Sequence, residues 1–147
     1  MLDDMSDLVH RGLLTVIGKW EEIAEYFDSL LVEKKGLLDP DYHDSLLTDD
    51  GGLTRSKMYF WAIEFLKEAE SSILENISQA RRFIDLLNAN PPITKLSRTV
   101  FAMRLKKHQV ILQKLEWLRK RFRNKQDEAK ALRDGVANNS FTTDMTC

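Results

Sequence analysis

Apolar residues recur near the N-terminus at alternating intervals of four and three positions. They are Val9, Leu13, Val16, Trp20, Ile23, Phe27 and Leu30, and several of the residues between them are acidic. This spacing places the apolar side chains on one side of an α-helix, as in a coiled coil. It predicts a first helix over residues 6–35, with Ser6 as its N-cap and Gly36 just after its C-terminal end.

Two later stretches carry the same pattern. The second seam consists of Ile63, Leu66, Glu70, Ile73, Ile77, Ala80, Ile84 and Leu87, and the third of Phe101, Leu105, His108, Leu112, Leu115, Leu118 and Phe122. They predict helices over residues 55–89 and 96–133, the latter capped by Thr94 or Ser97. Two consecutive prolines end the second helix and make a tight connection to the third, so we expect these two helices to be antiparallel.

The three segments predict an all-α protein: an elongated antiparallel bundle of three long helices with coiled-coil-like seams. Only 6 Gly and 3 Pro among 147 residues argue against an all-β fold, which needs many turns. We expect one domain over residues 1–134. Residues 135–147 are rich in Asn, Ser and Thr, which predicts a disordered polar tail.

The large side chains on these seams are the expected core and helix-contact positions. We select Trp20, Phe27, Phe60, Trp61, Leu112, Leu115 and Phe122. The start of the second helix, Tyr59 to Leu66, is apolar nearly all round, which predicts burial on more than one side. If Trp61 is fully buried, replacing it by Ala should cost about 3–5 kcal/mol of stability.

Charge divides the chain into two parts. Residues 1–94 carry 9 basic and 18 acidic side chains (net −9), whereas residues 95–133 carry 13 basic and 3 acidic ones (net +10). This near-cancellation favours pairing of a basic third helix with two acidic helices, within the chain or between subunits. The densest basic cluster is also a candidate contact for a polyanion or an acidic partner. It contains Arg119, Lys120, Arg121, Arg123 and Lys125.

Motifs for catalysis or metal binding are missing from the sequence. It has no Gly-x-Ser-x-Gly and no phosphate-binding glycine loop, so we expect a non-enzymatic protein without catalytic residues or a cofactor. The three histidines lack zinc-ligand spacing, and His108 is interpreted as a satisfied interface residue. We expect Glu70 to pair with a basic residue of the third helix. The acidic residues between 39 and 50 do not fit an EF-hand and indicate a solvated loop.

Four stretches of the sequence resemble a known family. They are WEEIAEYFDSLL (Trp20–Leu31), LLDPDYHDSLLTDDG (Leu37–Gly51), RSKMYFWAIEFLKEAESSILENISQ (Arg55–Gln79) and ALRDGV (Ala131–Val136). In this order they resemble the cytoplasmic helical region of CorA-like magnesium transporters of filamentous fungi, and ALRDGV is similar to the end of that family's stalk helix. The resemblance implies a pentamer that conducts Mg²⁺ or related cations and senses metal through its cytoplasmic part. No metal ligand can be transferred to this sequence.

The sequence lacks the Gly-Met-Asn tripeptide that marks the pore mouth in that family, and it lacks an apolar stretch of membrane-spanning length. It also has a single cysteine and no signal peptide. We therefore expect a soluble cytoplasmic chain, or one at the cytoplasmic face of a membrane, with an assembly or regulatory role rather than transport by itself. Its partner would be a second copy or a full-length transporter subunit. The alternative is a helical binding module whose basic third helix contacts anionic lipid, an acidic protein or, less favoured, nucleic acid.

Overall fold

Three α-helices form the described part of the chain. The computed structural model describes the backbone of residues 2–31 and 54–145, and the side chains of residues 4–31 and 55–136. The helices are α1 (Leu2–Leu30), α2 (Thr54–Ala89) and α3 (Lys95–Met145). No β-strand occurs in these residues, so the predicted all-α bundle of three long helices is confirmed. The acidic loop and the predicted end of the first helix lie outside the described residues.

The N-terminus of α1 differs from the prediction. The helix begins at Leu2 rather than at residue 6, and Ser6 is a buried residue within it instead of its N-cap. The reason is that Ser6 lies seven residues before Leu13, which is also buried. Residues seven apart lie on the same side of a helix, so Ser6 continues the buried face.

The connection between α2 and α3 is built as its local sequence predicts. The Asn90 side-chain amide donates to the Leu86 carbonyl oxygen at 2.9 Å and satisfies one carbonyl at the end of α2. The Ser97 backbone N–H donates to the Thr94 hydroxyl oxygen at 3.1 Å, which is an N-cap interaction. α2 covers the residues predicted for it, and α3 starts one residue earlier than expected.

The C-terminal part of α3 is longer than the sequence predicted. The helical backbone continues to Met145, whereas we expected an end at residue 133 and a disordered tail from residue 135. Leu132 and Val136 are one turn apart and both are buried, Val136 completely. The apolar seam therefore continues past Gly135. A glycine weakens a helix by roughly 1 kcal/mol but does not break it as Pro does.

Contacts group the chain into two compact units, each with part of all three helices. The first unit is Met1–Glu22 with Ser71–Lys120. Its apolar core contains Leu13, Ile17, Ile73, Ile77, Ala80, Phe83, Leu87, Ile111, Leu115 and Leu118. Trp20 of α1 contacts Asn76 of α2. Ser6, which is earlier in α1, and Phe83, which is later in α2, both contact His108 and so lie at the same level. α1 and α2 are thus antiparallel here.

The second unit is Ile23–Glu70 with Arg121–Cys147. Its described core contains Ala24, Phe27, Leu31, Tyr59, Ala62, Ile63, Leu66, Ala69, Phe122, Ala129, Leu132 and Val136. Small alanines alternate with large side chains in this list, which lets the helices approach closely while the aromatic rings fill the remaining space.

The predicted core positions fall into two groups. Phe27, Leu115 and Phe122 are buried, and Trp20 and Leu112 are partly buried. The Trp20 indole N–H donates to the Asn76 side-chain oxygen at 3.1 Å, so this residue does contact α2.

Phe60 and Trp61 do not lie in the core, in contrast to our prediction, since they are 60% and 48% exposed. The prediction that the start of α2 is buried on more than one side is also wrong for the described residues. Tyr59, Ala62 and Leu66 occupy the buried side of α2. Because successive residues of a helix point about 100° apart, Phe60 and Trp61 point away from this buried side.

Candidate interaction surfaces

Most of the basic cluster predicted as a polyanion contact is used within the second unit. The Arg121 guanidinium donates to Asp28 at 2.6 Å, and the Lys125 ammonium lies 2.6 Å from the other oxygen of the same carboxylate. Arg123 pairs with Glu70 at 2.9 Å. Arg119 is partly buried and Lys120 is exposed. The basic segment of α3 thus neutralises acidic residues of α1 and α2, as the charge distribution favoured.

Asp28 is the centre of the two shortest of these ion pairs, at 2.6 Å each. Burial alone would raise its pKa, but hydrogen bonds from Lys125 and Arg121 outweigh burial and hold the pKa below its ordinary value of 3.8. Burial likewise opposes the charge of Lys125, and its hydrogen bonds to Asp28 and Glu128 overcome this and raise its pKa above 10.5. Both groups therefore remain charged at neutral pH.

Glu70 joins two helices through polar contacts, as its place on the apolar seam of α2 predicted. In addition to its pair with Arg123, it accepts a hydrogen bond at 2.7 Å from the buried side-chain amide of Gln126. The Gln126 amide also lies 3.5 Å from the carbonyl oxygen of Leu66. These partners account for the carboxylate as a structural group on the inner side of α2.

A buried polar pair lies in the core of the first unit. The Ser6 hydroxyl and the His108 Nε2 are hydrogen-bonded at 2.9 Å, and the rings of His10 and Phe83 lie 5.8 and 5.0 Å from that of His108. Burial lowers the pKa of His108, and the nearby His10 lowers it further, whereas Asp7 partly opposes them. His108 is therefore the satisfied interface histidine predicted from the sequence. Its partner Ser6 was missed.

An exposed aromatic surface lies on the second unit. The Trp61 and Phe65 rings are one helical turn apart, 5.7 Å between centroids, and both pack on Phe27 of α1. Tyr26 contacts the edge of Phe27. Three of these side chains and that of Phe60, the residue before Trp61, are all exposed: Tyr26, Phe60, Trp61 and Phe65. We call these four residues the aromatic surface.

A second feature is a groove on the first unit between α1 and α3, with a cavity volume of about 600 Å³. Its lining is mainly apolar but includes three lysines that are exposed on α3. The lining residues are His10, Leu14, Met103, Lys106, Lys107, Val110, Ile111 and Lys114. We call it the lysine-rimmed groove. No ion pair links its three lysines to any described residue.

The described residues contain no cluster of three or more His, Cys, Asp or Glu side chains arranged to hold a metal ion. In the same part of the chain, no helix is both long and apolar enough to cross a lipid bilayer.

No known protein family matches the sequence, and no curated protein and no solved structure shows significant similarity to it. The described surfaces are therefore the observations from which a function can be argued.

Proposed function

We propose that the chain is a non-enzymatic helical module that acts by assembling with other helical chains. In this proposal it corresponds to the cytoplasmic stalk region of a CorA-like magnesium transporter and has an assembly or regulatory role there. The partner is a second copy of the chain or a transporter subunit, at the cytoplasmic face of a membrane, with Mg²⁺ as the ion that the family resemblance implies.

The aromatic surface is the observation that carries this proposal. Trp61 and Phe65 pack on each other and on Phe27, and Tyr26 touches Phe27 as well. All of these side chains except Phe27, and that of Phe60, the residue before Trp61, are exposed to water. Contiguous exposed apolar patches mark sites of protein association, and Trp and Tyr supply much of the binding energy at such sites. The buried ring of Phe27 packs against the rings of both Trp61 and Phe65.

The family part of the proposal rests on the sequence stretches that resemble the transporter family, three of which lie in the helices. WEEIAEYFDSLL ends α1 and RSKMYFWAIEFLKEAESSILENISQ forms most of α2. ALRDGV lies inside α3, whose helical backbone passes through it without a break. The resemblance implies that ALRDGV lies at the end of a long stalk helix, and α3 is long but extends past this segment to Met145.

Removal of two aromatic side chains tests the assembly surface. We expect the wild-type chain to self-associate in sedimentation velocity experiments and Tyr26→Ser/Phe60→Ser to shift it toward the monomer. The control, Leu8→Ser/Leu96→Ser, removes two exposed leucines from outside this surface and should associate like wild type. Equal association of all three proteins would refute the role of the aromatic surface.

The alternative function is a binding module that uses the basic third helix. The lysines of the groove support it better than the basic cluster from which it was predicted. Arg121, Arg123 and Lys125 already pair with acidic residues of the same unit. A partner that bound them would have to break these pairs. Binding to the three lysines of the groove would not require the breaking of an ion pair with any described residue.

A further inference from the structure

The surface beside the lysine-rimmed groove is also recessed, toward the N-terminus of α3. A second depression, of about 500 Å³, is lined by residues that include Lys95, Arg98, Met103 and Lys106. Met103 and Lys106 also line the groove, so the two depressions border the same stretch of α3. Lys95 and Lys114 are 19 positions apart, which corresponds to roughly 28 Å of helix at 1.5 Å per residue.

The groove combines an apolar floor with a cationic edge. Leu14, Met103 and Val110 stay partly exposed in it, and the lysines stand beside them. Because Met is flexible and polarisable, it is common in grooves that accept helices. A partner that matches both features needs an apolar stripe bordered by negative charges.

We propose that the lysine-rimmed groove binds an amphipathic helix of a partner protein, whose apolar face fills the floor and whose flanking Asp or Glu residues pair with Lys106, Lys107 and Lys114. Charge complementarity and length favour this occupant. Together the two depressions follow about 28 Å of α3, which matches roughly five turns of a helix. A small ligand would need a site that encloses most of its surface.

Two other anionic occupants match the groove less well. A membrane surface requires apolar side chains that protrude into the lipid, whereas these line a recess between helices. Nucleic acid binding relies on phosphate contacts and would leave the apolar floor uncovered.

Binding of designed peptides tests the proposal. The probe is a fluorescein-labelled 18-residue helical peptide with Leu at i, i+3, i+4 and i+7 spacing and Glu beside this stripe. Its control has Lys in place of every Glu. In fluorescence anisotropy we expect the acidic peptide to bind and the basic one not to bind. Lys106→Glu/Lys107→Glu should weaken binding at least about tenfold, since it replaces attraction by repulsion.

The matched control is Lys120→Glu/Lys130→Glu, which changes net charge equally at exposed positions of α3 outside the groove. It should bind the acidic peptide within about twofold of wild type, because charges separated by more than about 10 Å are largely screened at 0.1 M salt. Circular dichroism of all variants checks that the helices are intact.

Several outcomes would overturn the proposal. Equal binding of both peptides would indicate unspecific apolar adsorption, and equal loss in the two double variants would indicate a net-charge effect. Binding of phosphatidylglycerol vesicles instead of the peptide, lost in Lys106→Glu/Lys107→Glu, would assign the lysines to a lipid surface. Loss of self-association in that variant would assign the groove to a second copy of this chain. None of these readouts depends on the aromatic surface.

Discussion

Ser6 and His108 show what a single buried polar residue requires of its neighbours. A buried hydroxyl or imidazole without a hydrogen-bond partner costs about 1–3 kcal/mol, and here each satisfies the other across two helices. The sequence predicted the role of His108 because an isolated histidine on an apolar seam needs a partner. Ser6 was missed because a serine ahead of an apolar stretch is equally typical of an N-cap.

The buried position of His108 makes the free energy of unfolding depend on pH. Its pKa in the folded chain lies below the ordinary value of 6.5. Near and below pH 6.5 this histidine is therefore protonated to a greater extent in the unfolded chain than in the folded one. Stability should therefore fall as pH decreases below 6.5 and be unaffected by this residue at higher pH. Urea unfolding at pH 7.5 and 5.5 measures the effect. His108→Gln should show a smaller loss, and an identical loss would contradict this assignment.

Phe27 and Trp61 touch each other but differ in burial, so their replacement should have unequal effects. Phe27 is 1% exposed and contacts three aromatic rings. Phe27→Ala should therefore lower the free energy of unfolding by about 3–5 kcal/mol. Trp61→Ala should cost only about 1 kcal/mol, because roughly half of the side chain is already in water. Urea unfolding of both variants measures these losses. An equal loss of stability in the two variants would show that Trp61 is buried.

At the scale of the elements, the ion pairs explain how a basic helix packs with two acidic ones. Charge segregation in the sequence predicted this pairing but not its members, because successive basic residues of a helix point about 100° apart. The structure selects Asp28 and Glu70 as the acidic partners. Lys106, Lys107 and Lys114 belong to the same basic helix, yet they border a groove instead.

The Asp28 ion pairs should contribute measurably to the packing of α3 on α1. Asp28→Asn should lower the free energy of unfolding at pH 7 by about 1 kcal/mol, the upper end for partly exposed pairs. Because the folded pKa of Asp28 is below 3.8, its contribution is present above that pH and disappears as pH falls through the folded pKa. The difference between wild type and variant should vanish there.

Glu116→Gln is the control for this measurement. Glu116 accepts from Arg81 at 2.8 Å, but both side chains are about half exposed. Removing this pair should cost less than about 0.5 kcal/mol. Urea unfolding that gives the same cost for both variants would show that Asp28 has no special role.

At the scale of the whole chain, three helices could be predicted from apolar periodicity alone, since a seam of period 3.5 allows no other regular structure. The positions of α2 and of the N-terminus of α3 followed from capping residues and prolines. The end of α3 did not, because Gly135 resembles a C-terminal stop and only the burial of Val136 shows that the seam continues. Neither surface could be predicted, since exposure of an apolar residue depends on which face its neighbours cover.

Sedimentation equilibrium of the purified chain over a concentration series, with and without Mg²⁺, tests the assembly proposal most directly. We expect a discrete oligomer whose dissociation constant changes when Mg²⁺ is added, and Ca²⁺ at the same ionic strength controls for screening. A chain that stays monomeric at every concentration, and is indifferent to Mg²⁺, would contradict an assembly role related to CorA-like transporters.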